Sequence, residues 1–277
     1  MYYYTIGQYL EHIVDELEAE LRSEENVAGI KERLSGKCTR TQALLYFLKY
    51  HYGYAFEYEY IYTNHIIKNF KGERMNVLSL GCANGIDLWS LCHALSHSST
   101  DIGSIGYKGI DNCTYGEVFS GRQADEVSYH RGRELKNKSS VEDTDVLFLP
   151  RSAGRLRRGE LDRLAIRMGR NGKRLYIAAS FGSGDKLDAD INNFDYLIDR
   201  LEKAGMRIRE GGRNRYYKYN DEEVCGIKSI YHDYEYPDRA LALLGKLRTA
   251  VSDDVGMPVL TNGMLRYNYA VMDSLYS

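Results

Sequence analysis

The stretch Asn76-Val77-Leu78-Ser79-Leu80-Gly81-Cys82-Ala83-Asn84-Gly85-Ile86-Asp87-Leu88-Trp89 constrains the fold more than any other. Val77, Leu78 and Leu80 read as a buried strand that stops at Gly81. Leu88, Leu91, Cys92 and Leu95 then recur at helical spacing and form one apolar stripe. Gly81 and Gly85 allow a tight turn and leave room for a ligand against the helix N-terminus. A strand, a glycine loop and a helix make the opening unit of a nucleotide-type α/β fold.

The loop spacing narrows the ligand. A dinucleotide fingerprint wants glycine at the first, third and sixth loop positions, which here are Gly81, Ala83 and Ile86. Two of the three fail, which disfavours a dehydrogenase. No Gly-x-x-x-x-Gly-Lys-Ser/Thr run is present either. A ligand with a ribose and adenine but no phosphate fits the loop better. Further on, Tyr107-Lys108-Gly109-Ile110-Asp111-Asn112 reads as a second strand that ends in an acid. A carboxylate suits a neutral diol and repels a phosphate. The interval from Gly81 to Asp111 is longer than the roughly 20 residues of a dinucleotide fold.

On these residues the chain resembles the class I S-adenosylmethionine-dependent methyltransferases, whose first motif is a strand ending in a Gly-x-Gly-x-Gly loop. The resemblance implies a Rossmann-like three-layer α/β sandwich with a mostly parallel seven-stranded sheet. It implies S-adenosylmethionine as cofactor, held by Gly81, Cys82, Ala83, Asn84 and Gly85, with Asp111 and Asn112 at the ribose. The sequence departs from the family at two points. Ser79 stands where the family carries an acid near the amino-acid end of the cofactor, and Ala83 replaces the middle glycine.

The remaining strands fall into place along the chain. Glu126 to His130 reads as the third, Asp145 to Pro150 as the fourth and Lys173 to Phe181 as the fifth. Two late strands near residues 208 and 268 are compatible with the antiparallel sixth and seventh strands of the family. Arg151 and Ser152 follow the fourth strand, at the end that faces the ligand cleft in an open α/β sheet, and are candidates for acceptor contact. Neither the Asp/Asn/Ser-Pro-Pro-Tyr/Phe motif of amino-directed DNA enzymes nor the Pro-Cys of cytosine-C5 enzymes occurs there, and both chemistries are disfavoured. No general base is identifiable.

Ahead of this domain, residues 1–72 read as a helical extension, with the Rossmann-like domain spanning 73–277. Ile6, Leu10, Ile13, Leu17 and Leu21 give the first helix an apolar face opposite an acidic one. Between residues 40 and 70, aromatics at alternate positions argue for a strand, but Tyr46, Tyr50, Tyr54, Tyr58 and Tyr62 are also four apart. The flanking leucines and isoleucines decide for a helix. Its tyrosines are read as core packing, with some able to border the methyl group. After the fourth strand, Arg151, Arg155, Arg157, Arg158, Arg163, Arg167, Arg170, Lys173 and Arg174 make a basic stretch. It suits an anionic acceptor such as a nucleotide or RNA, or else belongs to a solvated helix whose arginines meet the acidic first helix.

Composition adds limits rather than direction. The formal net charge of −2 over 277 residues supplies no general attraction to nucleic acid or membrane. No apolar run approaches the ~20 residues that cross a bilayer. The five cysteines have no Cys-x-x-Cys spacing and read as reduced thiols of a cytoplasmic protein. His93 and His97 lie one helical turn apart, but no third ligand is close in sequence, so no metal is expected and a solvated helix end is the reading. The expected function is methyl transfer from S-adenosylmethionine. The alternative is a methyltransferase-like binding or regulatory module, with a protein partner, that keeps the fold without turnover.

Overall fold

A computed structural model describes residues 5–22, 39–82, 85–111, 125–131, 141, 143–214, 216–219, 236–250, 255–256, 258 and 265–276. Two helices come first, α1 (Ile6–Arg22) and α2 (Arg40–Ile61). The central alternation follows, with β1 (Arg74–Leu80), α3 (Ile86–Ser96), β2 (Ser104–Asp111), β3 (Glu126–Arg131) and β4 (Val146–Pro150). Then come α4 (Arg158–Gly169), β5 (Leu175–Ser180), α5 (Leu187–Lys203), β6 (Met206–Gly211) and β7 (Tyr217–Tyr219). The last elements are α6 (Asp238–Ala250) and β8 (Leu265–Ser274).

The sheet runs β3-β2-β1-β4-β5-β8-β6. β1 through β5 pair in parallel, whereas β8 is antiparallel to both β5 and β6. The first five strands follow the doubly wound order, with β1 and β4 meeting at the point where the order reverses. This is the Rossmann-like α/β sandwich expected from the sequence, closed by the antiparallel late strands. Among the described residues seven strands form its continuous path, as expected, and a short additional strand, β7, lies off that path. The short β7 pairs with the start of β8 while β6 pairs with its later residues. A bulge between Ile208 and Glu210 and left-handed glycines at Gly211 and Gly212 lie at the end of β6, so its ladder with β8 stops at Gly211.

Strand pleating sorts the core onto two faces. Val77, Tyr107, Val146, Phe148, Tyr176 and Val271 point to one, where α1, α2, α3 and α6 cover them. Leu78, Leu80, Leu147, Leu149, Ile177 and Met272 point to the other, against α4 and α5. Burial on both faces explains the near-continuous apolar runs of β4 and β5. The two N-terminal helices therefore share a core with the sheet. Thr39 caps α2 by accepting from the Gln42 N–H at 3.2 Å. The helix passes into a π-helical turn at Tyr62–Ile66 and a 3₁₀ turn at Ile67–Asn69. The acids of α1 pair with Arg40 of α2 and with Arg239 of α6. α4 lies across the sheet from α1, and its Arg158 covers the Tyr196 ring of α5 at 4.1 Å.

Among the described residues no helix is long and apolar enough to cross a membrane.

Candidate functional site

The candidate site lies at the carboxyl ends of β1, β2 and β4. Gly81 ends β1 in the left-handed region, with φ of 85°, and its N–H continues the ladder to the Ile110 carbonyl at 2.7 Å. A Cβ on Gly81 would stand 2.4 Å from the Ser152 Cβ, so glycine is required both by the backbone and by the approach of the β4 loop. The Gly85 N–H bonds to the Cys82 carbonyl at 2.8 Å and closes a turn over the loop. Gly85, with φ of 95°, is the N-cap of α3 and offers no side-chain cap to its first N–H groups. Ala83, Asn84 and Asn112 lie outside the described residues.

Asp111 is the last residue of β2 and half-buried. The parallel register aligns Leu80 with Ile110, which sets Asp111 beside Gly81 at the same end of the sheet. The topology thus gathers Gly81, Cys82, Gly85 and Asp111, the described members of the expected cofactor set, around one loop.

Arg151 and Ser152 are also at this edge, but both side chains are engaged inside the fold. The Ser152 hydroxyl is buried and donates to the Leu80 carbonyl, tying the β4 loop to the end of β1. Arg151 adopts φ of 50°, an uncommon conformation for a residue with a Cβ. Its guanidinium donates to Glu57 Oε2 of α2 at 2.6 Å and lies 4.3 Å from the centre of the Tyr54 ring. Glu57 is fully buried. Burial pushes its carboxyl pKa up, and the Arg151 charge pulls it back. Both residues thus also tie the end of β4 to its neighbours.

Three further residues were not singled out in the sequence. Asp87, in the first turn of α3, is fully buried, and both its oxygens accept from the Tyr107 hydroxyl at 2.9 Å. Burial raises its pKa to about 7, against the pull of the Ser79 and Tyr107 hydroxyls and nearby backbone N–H groups. A carboxylate does stand behind the loop, delivered from the helix rather than from position 79 of the strand. Asp190 of α5 is buried and accepts from the N–H groups of Gly154 at 2.6 Å and Gly182 at 2.7 Å. It thereby fixes the loops after β4 and β5 to each other. Glu57 is the third. An acid in a first helical turn is a readable signal for Asp87 and for Asp190; Glu57 carries none, because its partner Arg151 is distant in the chain.

Along α2, Tyr46, Tyr50 and Tyr54 form a half-buried ladder, with ring centres 4.7 and 5.1 Å apart, leading to Arg151. Tyr58 and Tyr62 continue it into the core, where both pack on Phe148. The expectation of mostly core tyrosines holds for these last two.

No family model matches the sequence, and no match is found among curated proteins. Solved structures give distant likenesses. The chain is similar to a cyclopropane-fatty-acyl-phospholipid synthase-like protein from Lactobacillus casei, at 13% identity over 89% of this chain and 98% of that one, with a TM-score of 0.44. It is similar to a geranyl diphosphate methyltransferase in complex with SAM, at 12% identity over 87% and 94%, with a TM-score of 0.42. A plantazolicin methyltransferase with SAH gives 14% identity over 96% and 99%, with a TM-score of 0.40. Likenesses this distant assign neither a cofactor nor a reaction to this chain.

Proposed function

We propose that this chain is an S-adenosylmethionine-dependent methyltransferase. The observation that carries the reading is the conjunction of the left-handed glycines Gly81 and Gly85 with Asp111 on the adjacent strand, at the switch point of the sheet. In this reading the loop backbone and the N-terminus of α3 receive the amino-acid and ribose end, and the Asp111 carboxylate accepts from the two ribose hydroxyls. Asn112 adjoins it, and Ala83 and Asn84 complete the loop. The cofactor supplies an electrophilic methyl group on a sulfonium. The protein's work is to hold donor and acceptor in line and exclude water.

The acceptor approaches, in this proposal, along the Tyr46–Tyr50–Tyr54 ladder, whose ring faces suit a substrate with an apolar or aromatic body. Exposed Arg155, Arg157 and Arg158 beyond the cleft support an anionic group, such as that of a nucleotide or RNA, on the same substrate. Arg151 contributes by holding α2 rather than by contacting the acceptor. A non-catalytic binding module is favoured by one observation, the engagement of both Arg151 and Ser152 within the fold.

Calorimetric titration with S-adenosylmethionine and S-adenosylhomocysteine, on wild type and Asp111→Ala, tests the cofactor. Two hydrogen bonds to a charged carboxylate are worth about 1.5–3 kcal/mol each, so affinity is expected to fall by at least about tenfold. Absence of heat and of any thermal shift with both ligands would sink the proposal. Binding without turnover across an acceptor panel of nucleotides, RNA and aromatic small molecules would favour the binding module.

A further inference from the structure

The histidines of α3 acquire in space the third ligand that they lack in sequence. His93 and His97 stand one turn apart with ring centres 4.4 Å from each other. Glu59, on the neighbouring helix α2, brings its Oε2 within 2.9 Å of His93 Nδ1. One ligand atom from each of the three residues lies within 4.8 Å of the others. We propose that Glu59, His93 and His97 bind a divalent transition-metal ion of the Zn²⁺ type, clamping α2 to α3.

Donor chemistry, burial and support agree with this assignment. Two imidazoles and one carboxylate form a donor set that zinc accepts, with a fourth position left for water. Glu59 and His93 are buried, at 2% and 5% exposure, whereas His97 is exposed, so the cluster is closed toward the protein and open toward solvent. Tetrahedral bonds of ~2.0–2.1 Å place ligand atoms about 3.3 Å apart. Glu59 and His93 are already near that separation, and exposed His97 offers a ligand atom within 4.8 Å of both.

Two contacts pre-orient the rings. His97 Nδ1 lies 3.0 Å from the His93 carbonyl oxygen, and a proton donated there leaves Nε2 with its lone pair for a metal. Trp89 stacks on His93 at 4.8 Å and an interplanar angle of 16°, which holds that imidazole in place. A cation would take the place of the proton shared by His93 and Glu59, and so exchange one hydrogen bond for metal–ligand bonds. His93 is eight residues beyond Gly85, about 12 Å along the helix at 1.5 Å per residue. The site is therefore separate from the cofactor loop and does not depend on the methyltransferase reading.

The test uses the full chain, free of any polyhistidine tag and treated with chelator. Calorimetry with Zn²⁺ is expected to give one ion per chain at micromolar affinity, weakened at least about tenfold by His97→Ala and by Glu59→Gln. Co²⁺ in place of Zn²⁺ is expected to give visible ligand-field absorption, lost in both variants. His97 is exposed, so His97→Ala should retain the wild-type melting temperature without metal, and the comparison stands even where Glu59→Gln fails to fold. No saturable binding, or binding that survives His97→Ala unchanged, would overturn the assignment.

Discussion

Arg151→Ala removes the guanidinium that donates to Glu57 Oε2, an oxygen of a fully buried carboxylate. Breaking a buried ion pair costs about 3–5 kcal/mol because the remaining charge is left without its partner. The Arg151 side chain is 20% exposed against 0% for Glu57, so the lower end of that range applies. Loss of the stacked contact with Tyr54 adds up to about 1 kcal/mol. At about 2–4 °C per kcal/mol for a chain of this size, the melting temperature should fall by roughly 6–15 °C. Arg151→Gly should fall less by about 1–2 kcal/mol, since glycine carries no cost at a φ of 50°. The double variant Arg151→Met, Glu57→Gln should recover most of the loss, because no charge is then buried alone.

The pH dependence supplies an independent arm. Burial already raises the Glu57 pKa above its ordinary value of 4.5, and removing Arg151 removes the group that pulls it down. An acid with a raised folded-state pKa contributes stability that is present below its unfolded pKa and lost as pH rises toward the folded one. The deficit of Arg151→Ala, measured by urea denaturation, should therefore be smaller at about pH 5 than at about pH 8. A deficit below about 1 kcal/mol, or one identical at both pH values, would refute the buried pair and free Arg151 for an anionic acceptor.

Asp87 follows the same sign. With its pKa raised to about 7, wild-type stability should decline as pH rises from roughly 4 to 7, and Asp87→Asn should flatten that slope while keeping an acceptor for Tyr107. Superimposable pH–stability curves would exclude it. Gly81→Ala should lose about 1–2 kcal/mol to its left-handed backbone and a further 1–3 kcal/mol or so to the Ser152 contact, and Ser152→Gly should restore only the second part. Thermal melts of the single and double variants separate the two. Asp190→Ala strands two loop N–H groups and should cost about 2–4 kcal/mol by urea titration; a near-neutral result would mean that water replaces the carboxylate.

The parallel half of the fold was legible because β1, β4 and β5 are buried on both faces and so are written as apolar runs. The glycine loop was legible because left-handed backbone and close approach both demand glycine, at Gly81 and at Gly85. β7 was not, since three residues pair with β8 only where the edge breaks after Gly211. His93 read as a solvated helix end because nothing in α3 announces that Glu59 lies over it.

The braces of the site share one physical reason for having escaped notice. Arg151–Glu57, Asp190 with the Gly154 loop after β4, and Glu59–His93 each join elements far apart in sequence. Each buries a carboxylate whose residue type is ordinary on a helix surface. Only the crossing of α2 over the sheet and α3 turns Glu57 and Glu59, two residues apart, toward Arg151 and His93. One helix is thereby fixed to the carboxyl end of β4 by an ion pair and to α3 by a histidine. If α2 is the wall of the cleft, weakening either attachment should alter binding of S-adenosylmethionine without touching its loop. A calorimetric titration of Glu59→Gln with the cofactor examines this directly; unchanged affinity and enthalpy would show that the wall and the loop act independently.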